Sequence, residues 1–313
     1  MTKPADALVV EINEQLSSGR LETESAPCLC GSWKAVQVAD RDWLGIACAF
    51  VMCADCGLIR LNPRPTAQAY RVLYTSDDYR RLHSKDDFIE ESRRRFSDGQ
   101  GAHILEFVQQ HMGDLAGRTV LEIGAGAGWN LSHFAAAGAT VIGYDYSDAL
   151  VPLGREYGLD LRRGSFAEAA SDGVCADVVI LNHVLEHLTD IPKAVHDTID
   201  LLRRDGRVYL GLPDIEHFHY GQLQLAHTYY FSRRTLAHHL ARLALVSDSI
   251  GPALGTHMQG MFRPAAHPGV EVDLSGEYSA MRRVIQTARM RRFSVGMLDR
   301  LGLKRSIKRL LAR

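Results

Sequence analysis

The sequence predicts an α/β protein built on a doubly wound, mainly parallel sheet of seven strands, with a small cysteine module before it and a basic helical tail after it. Three observations carry this expectation. Apolar runs and amphipathic segments alternate from Arg118 to about Arg263, the pattern of successive βαβ units. One of those runs, "TVLEIGAGAGWN", ends in glycines at 124, 126 and 128. Five of the six cysteines fall before residue 65, so their chemistry belongs to a separate part of the chain.

The bulk properties exclude several classes. With 46% hydrophobic and 23% charged residues, the chain has globular proportions and is not a disordered polyelectrolyte. A formal net charge of -1 provides no overall field toward nucleic acid. The most apolar run, "GIACAFVMCA", is about ten residues, against roughly 20 needed to span a bilayer. "MTKPADALVVEINEQ" lacks a signal-peptide core, so a cytoplasmic protein is expected. In that reducing setting, cysteines read as metal ligands or buried thiols.

Residues 1–65 are expected to form the cysteine module. "PCLCGS" and "MCADCG" each pair two thiols before a glycine that permits a tight turn, and 22 residues separate the pairs. This is the pattern of a closed, structural four-thiolate Zn²⁺ site on Cys28, Cys30, Cys53 and Cys56, with Cys48 an alternative to the closely spaced first pair. Residues 1–60 carry five Lys/Arg against eight Asp/Glu, which disfavours phosphate binding by the module. Residues 66–117 read as a helical connector, because "TAQAYRVLY" and "IEESRRRFSDGQGAHILEFVQQHM" place apolar residues three and four apart.

Residues 118–265 hold the sheet. "RTVLEIG", "TVIGYD", "LDLRRG", "ADVVILN", "GRVYLGLP", "LVSDSIG" and "THMQGMFRP" are its expected strands. "WNLSHFAAAG" is a helix closed by Gly138, and Ser147 or Asp148 caps the next. "DIPKAVHDTIDLLRRDG" is read as a helix with Asp190 as cap, and "SRRTLAHHLARLA" as another. Cys175 stands alone and is expected in the core.

The glycine turn decides among ligands. A dinucleotide site of G-x-G-x-x-G type needs glycine at 129, where the chain has Trp129. No Lys-Ser/Thr pair follows, so it is not a phosphate loop. Glycines at alternate positions let backbone approach an adenosyl group closely. Asp145 ends the next strand 21 residues after Gly124, near the spacing of about 20 for a ribose-binding acid.

"VLEIGAGAG", "VIGYDYS", "ADVVILNHVLEHLTD" and "LLRRDGRVYLGLP", in this order, resemble the class I S-adenosylmethionine-dependent methyltransferases. The resemblance implies a Rossmann-like methyltransferase sheet and S-adenosylmethionine as cofactor. It places that cofactor on Glu122, Gly124, Ala125, Gly126, Gly128, Asp145, Tyr146, Ser165, Phe166 and Asn182. The cysteine pairs together with "LIRLNPRPTAQAYRVLY" are similar to a narrower branch, zinc-ribbon methyltransferases of sugar and polysaccharide biosynthesis. Some of these methylate carbon on nucleotide-linked keto sugars and use a Tyr-x-Glu-His run. Here "QLAHTYYFS" keeps the histidine as His227, with Gln224 and Ala226 at the other two positions. The expected acceptor is therefore a hydroxyl or carbon of a small molecule, a nucleotide sugar or lipid-linked saccharide. His227, His187 and His183 are the candidate bases, since a histidine can take a hydroxyl proton as methyl transfer proceeds. Glu186 either orients a histidine or caps a helix, and Trp129 and Tyr144 either pack or face the cationic sulfonium. RNA or protein methylation and a non-catalytic scaffold are the alternatives. The chain has "NHVLEH" where base-amino methyltransferases carry an Asn/Asp-Pro-Pro-aromatic turn, which makes nucleic acid the weaker acceptor.

Residues 266–313 are expected to be a basic helical extension, with eleven Lys/Arg against one acid from Met281 onward. Leu298, Leu301, Ile307, Leu310 and Leu311 fall near one helical face, with Lys304, Arg305, Lys308 and Arg309 elsewhere. Such a helix either packs on the domain or lies on the inner, anionic face of a membrane.

Overall fold

The N-terminal segment is built by local patterning. Helix α1 (Ala5–Ser17) buries Leu8 and Ile12, four residues apart on one face. Short strands follow: β1 (Thr23–Glu24), β2 (Ala35–Arg41), β3 (Ala47–Cys53), β4 (Ile59–Leu61) and β5 (Arg64–Pro65). β2, β3 and β4 pair antiparallel, and Cys53 closes β3 directly before the second cysteine turn. Three helices follow, α2 (Ala67–Thr75), α3 (Phe88–Ser97) and α4 (Ala102–Met112). The computed structural model describes residues 5–75, 82, 87–97, 101–269 and 272–300.

The sheet domain follows in chain order: β6 (Thr119–Ile123), α5 (Trp129–Ala136), β7 (Thr140–Asp145), α6 (Leu150–Glu156), β8 (Asp160–Arg163), α7 (Phe166–Ser171), β9 (Ala176–Asn182), α8 (Ile191–Asp200) and β10 (Leu202–Pro213). Then come β11 (Tyr229–Tyr230), α9 (Arg233–Ala241), β12 (Leu245–Pro252), β13 (His257–Pro264) and α10 (Glu277–Arg300). Seven strands form one sheet in the order β12-β13-β10-β9-β6-β7-β8. The five strands from β10 to β8 are parallel, and β13 and β12 add antiparallel at one edge.

Alternation along the central strands sorts side chains between two cores. Val120, Val178 and Ile180 join Ile104 and Val108 of α4 and Leu131 and Phe134 of α5 on one face. Leu121, Ile123, Val179 and Leu181 join α7, α8 and α9 on the other. Strands covered on both faces read as unbroken apolar runs, which is why they were legible in the sequence. Each fully buried aliphatic side chain contributes about 1.5–3 kcal/mol.

Three local readings change. The helix begun by Asp190 ends at Asp200, not Gly206. Leu201 drops into the core, and Leu202 pairs with Ala176 before a register shift that resumes pairing at Arg207. Cys175 is exposed, because its neighbours Val174 and Ala176 take the inward positions. After β7 the helix starts at Leu150, and Ser147 still caps it from outside by accepting the Leu150 amide at 3.1 Å.

The cysteine module is not a separate bead. Residues between β10 and α9 return to it: β11 pairs with β4, Tyr229 opposite Arg60 and Tyr230 opposite Ile59. A shared core combines Leu8, Phe50, Ile59, Tyr70, Leu225 and Tyr230 with Met281, Ile285 and Ala288 of α10. Arg289 of α10 also donates to the Val38 carbonyl at 2.7 Å. From Met281 to Arg289 this helix is therefore packed on the domain, whereas the side chains from Arg292 on, Leu298 included, and residues 301–313, with Lys304, Arg305, Lys308 and Arg309, lie outside the described residues. Among the described residues no helix is long and apolar enough to cross a membrane.

Phe50 is fully buried at this junction, edge-on to Tyr230 at 5.8 Å between ring centroids. Phe50→Ala is expected to lower the free energy of urea unfolding by about 3–5 kcal/mol. A loss below about 1 kcal/mol would show that the junction does not hold the module to the sheet.

Candidate active site

The glycine turn closes the gap between the ends of β6 and β7. The amides of Gly124 and Ala125 donate to the Tyr144 carbonyl at 2.8 and 3.0 Å. The amide of Gly126 donates to Asp145 Oδ2 at 2.9 Å, and the Ser147 amide to Asp145 Oδ1 at 2.8 Å. The Asp145 carboxylate, 6% exposed, thus ties both strand ends together. Gly124 sits at φ 72°, and a Cβ there would come within 2.6 Å of Val184 Cγ2. Only glycine satisfies both demands, and the contact shows how closely the turn approaches the segment after β9.

Beneath the turn, Glu122 is buried at the end of β6. Its Oε1 accepts from Asn130 Nδ2 at 2.7 Å, while its Oε2 has no hydrogen-bond partner. Burial pushes the carboxyl up to about 8, Asn130 opposing and the Asp145 charge adding to the rise.

These groups line a cavity of about 1170 Å³ at the carboxyl ends of the strands. Single small-ligand sites occupy about 300–1,000 Å³, so this one has room for a cofactor and a second molecule. Of the expected cofactor residues, Glu122, Gly124, Ala125, Gly126, Asp145, Tyr146, Ser165 and Asn182 line it. Gly128 and Phe166 do not: Gly128 faces Leu159 and Leu161, and Phe166 joins the core beside Ala169. Ser165 caps α7 in a reciprocal box with Glu168. Tyr144 is fully buried and donates to Asp172 at 2.6 Å, as a packing residue would. Trp129 lines the cavity, its ring 4.7 Å from the Arg95 guanidinium carbon.

At the other end of the cavity the three candidate histidines converge on one carboxylate. His183 follows β9 in a left-handed conformation, φ 56°, and its Nδ1 lies 3.1 Å from Glu186 Oε1. His187 Nε2 lies 4.0 Å from the same oxygen, and its Nδ1 meets Tyr74 Oη at 2.8 Å and the Ala226 carbonyl at 3.1 Å. The His227 ring stands edge-on to His187 at 4.7 Å. Glu186 is 1% exposed, with Oε2 unpartnered. Burial favours its neutral form, but the His183 hydrogen bond and the charges of His187, His183 and His227 hold it down to about 2. Glu186 is thus not a helix cap but the hub of the cluster.

A profile of the family described as a methyltransferase domain matches residues 89–245, just over half of the chain. The chain belongs to that methyltransferase-domain family. A probable S-adenosylmethionine-dependent methyltransferase of Mycolicibacterium smegmatis is 36% identical over 101 residues, covering 32% of this chain and 39% of the relative. The ubiquinone biosynthesis O-methyltransferase of Alkalilimnicola ehrlichii is 34% identical over 111 residues, covering 33% of this chain and 45% of the relative. The match therefore spans less than half the length of these curated relatives. Among solved structures, the 1,6-didemethyltoxoflavin-N1-methyltransferase of Burkholderia thailandensis, with bound 1,6-didemethyltoxoflavin and S-adenosylhomocysteine, aligns at a TM-score of 0.50 and 19% identity. That alignment covers 68% of this chain and 97% of the other, and it shows a shared fold.

The methyltransferase domain fits an adenosyl sulfonium cofactor on two counts. Gly124 and Gly126 line the cavity, with Val184 and Trp129 packed where a Cβ on them would lie, and Glu122 offers an unsatisfied oxygen to a cationic group. The four thiols fit a metal as well. Cys28, Cys30, Cys53 and Cys56 lie with all Sγ atoms within 4.8 Å, the closest contacts being 3.5 Å for Cys28–Cys56 and 3.6 Å for Cys30–Cys53. Tetrahedral zinc with bonds near 2.3 Å needs about 3.8 Å between sulfurs. Cys48 is turned away, its Sγ donating to the Ile46 carbonyl.

Sequence reasoning missed Tyr74 and Asn130. Of the two roles expected for Glu186, the structure shows the one beside a histidine: it faces His183, three residues earlier, from a 3₁₀ turn over Leu185–His187.

Glu122 generates a pH prediction. Its folded pKa of about 8 exceeds the ordinary 4.5, so the folded chain binds more protons in that window and stability falls as pH rises from about 4.5 through 8. Glu122→Gln is expected to remove a fall of the order of a few kcal/mol, read from urea midpoints at both ends of the window. An identical pH slope in the two proteins would contradict the assignment.

Proposed function

We propose that the chain transfers a methyl group from S-adenosylmethionine to a hydroxyl of a small acceptor, of the saccharide or nucleotide-sugar class. The observation that carries this reading is the joining, in one cavity, of the glycine turn with a histidine backed by a buried carboxylate. When bound, S-adenosylmethionine supplies a methyl group whose bond to sulfur breaks as its bond to the acceptor oxygen forms. The Gly124–Gly126 backbone and Glu122 hold the cofactor against the strand ends, with Asp145 fixing the shape of the turn. Alignment of donor and acceptor in a closed geometry accounts for much of the acceleration in such a displacement.

The acceptor proton goes to His183. Its side chain is 42% exposed and lines the cavity, while Nδ1 is held by Glu186, which fixes the ring and stabilises the cation that forms. His187 and His227 are less exposed and form the wall behind it. Across the cavity α2 contributes Tyr70, Arg71 and Tyr74, and the segment before β11 adds His219, Gln222 and Gln224, a polar and aromatic lining suited to a polyhydroxyl ligand bearing an anionic group. Relatives named as O-methyltransferases favour oxygen over carbon as the acceptor atom.

Screening nucleotide sugars and free saccharides for release of S-adenosylhomocysteine identifies the acceptor. With it, His183→Ala is expected to lower kcat by about 10²- to 10⁴-fold while leaving S-adenosylhomocysteine affinity unchanged. Full turnover by the variant would remove His183 as the base.

A further inference from the structure

The Glu186 cluster holds more than a base and its support. Three donors, the Glu186 carboxylate and one nitrogen each of His187 and His227, lie within 4.8 Å of one another. Glu186 and His227 are buried, 1% and 6% exposed. Glu186 Oε2 meets no hydrogen-bond partner, a costly state for a carboxylate oxygen inside a protein unless a cation satisfies it.

The surroundings prepare the donors. His187 Nδ1 lies 2.8 Å from Tyr74 Oη and 3.1 Å from the Ala226 carbonyl; the tautomer protonated at Nδ1 donates to that carbonyl and puts the lone pair on Nε2, the nitrogen 4.0 Å from Glu186. Such an outer bond, imidazole to backbone carbonyl, orients the ring of a metal-ligating histidine. His227 is held from the other side by its place just before β11, where the Thr228 amide donates to the Glu186 carbonyl at 2.7 Å. Two imidazoles and a carboxylate are borderline donors, suited to zinc, manganese or iron in the divalent state and unlike the four-thiolate set some distance along the chain. Bonds of about 2.1 Å would draw the donors to roughly 3–3.5 Å apart, a movement within reach of side-chain rotation.

We propose that Glu186, His187 and His227 bind a divalent transition-metal cation, with open positions toward the cavity. Its role rests on the methyl-transfer reading: a cation there takes the acceptor hydroxyl oxygen as a ligand, lowers the cost of removing its proton, and places that proton beside His183. Its geometry does not depend on that reading.

The full chain is equilibrated with Zn²⁺, freed of unbound metal, and analysed for metal content beside the Glu186→Gln/His227→Ala variant. The wild type is expected to hold one equivalent more than the variant, with S-adenosylhomocysteine affinity, measured by calorimetry, the same in both as proof of folding. A second measurement needs no variant. Titrated with Co²⁺, the wild type should saturate its thiolate-to-metal absorption at one equivalent and then bind another that adds none. Equal metal content in wild type and folded variant, or Co²⁺ binding that stops with the thiolate signal, overturns the proposal. Failure to bind S-adenosylhomocysteine while the extra equivalent is present would instead strike the methyl-transfer reading and leave the metal site standing.

Discussion

One carboxylate, Asp145, accepts the amides of Gly126 and Ser147 and so ties the end of β7 to the turn that leaves β6. The bond matters because parallel strands end without a hairpin to join them, and their last amides would otherwise face solvent or ligand. With the ends joined, the turn holds three glycines at positive φ, and Gly124 reaches Val184 in the segment after β9. The cofactor end of the cavity and the histidine cluster are therefore set by the same strand ends. A charge-assisted bond of this kind is stronger than a neutral one, and it is shielded here at 6% exposure.

The second constraint is long-range. β11 is only two residues long, yet it pairs with β4, about 170 positions earlier, and fixes the chain immediately after His227. Tyr70 of α2 donates to the Leu225 carbonyl at 2.8 Å, and Arg64 Nη1 donates to Tyr229 Oη at 2.8 Å. The cysteine module, the connector and the insertion after β10 thus form one frame around the acceptor end. A structural metal on the four thiols would stiffen that frame at β3, whose last residue is Cys53.

What the sequence disclosed follows from where the information lies. β6, β9 and β10 are buried on both faces, so their apolar runs name them without context. The glycine spacing and Asp145 sit within one βαβ unit, and spacing alone brought them together. The thiols were equally legible, because each pair is local. For Glu186 the sequence left cap and histidine partner open, since His183 and His187 are near it in the chain but His227 arrives from a segment about 40 residues later, which local pattern does not record. Leu202–Gly206 carried helical composition, but pairing with Ala176 and burial of Leu201 outweighed propensity. Cys175 was placed inside on residue type, whereas it lies in the loop before β9, with Val174 and Ala176 buried on either side.

The most direct measurement is a calorimetric titration of the full chain with S-adenosylhomocysteine and, separately, NADH. Binding of the first alone, abolished in Gly124→Ala because the new methyl group collides with Val184, is what the turn geometry requires. Heat from NADH, or none from S-adenosylhomocysteine, would contradict the account.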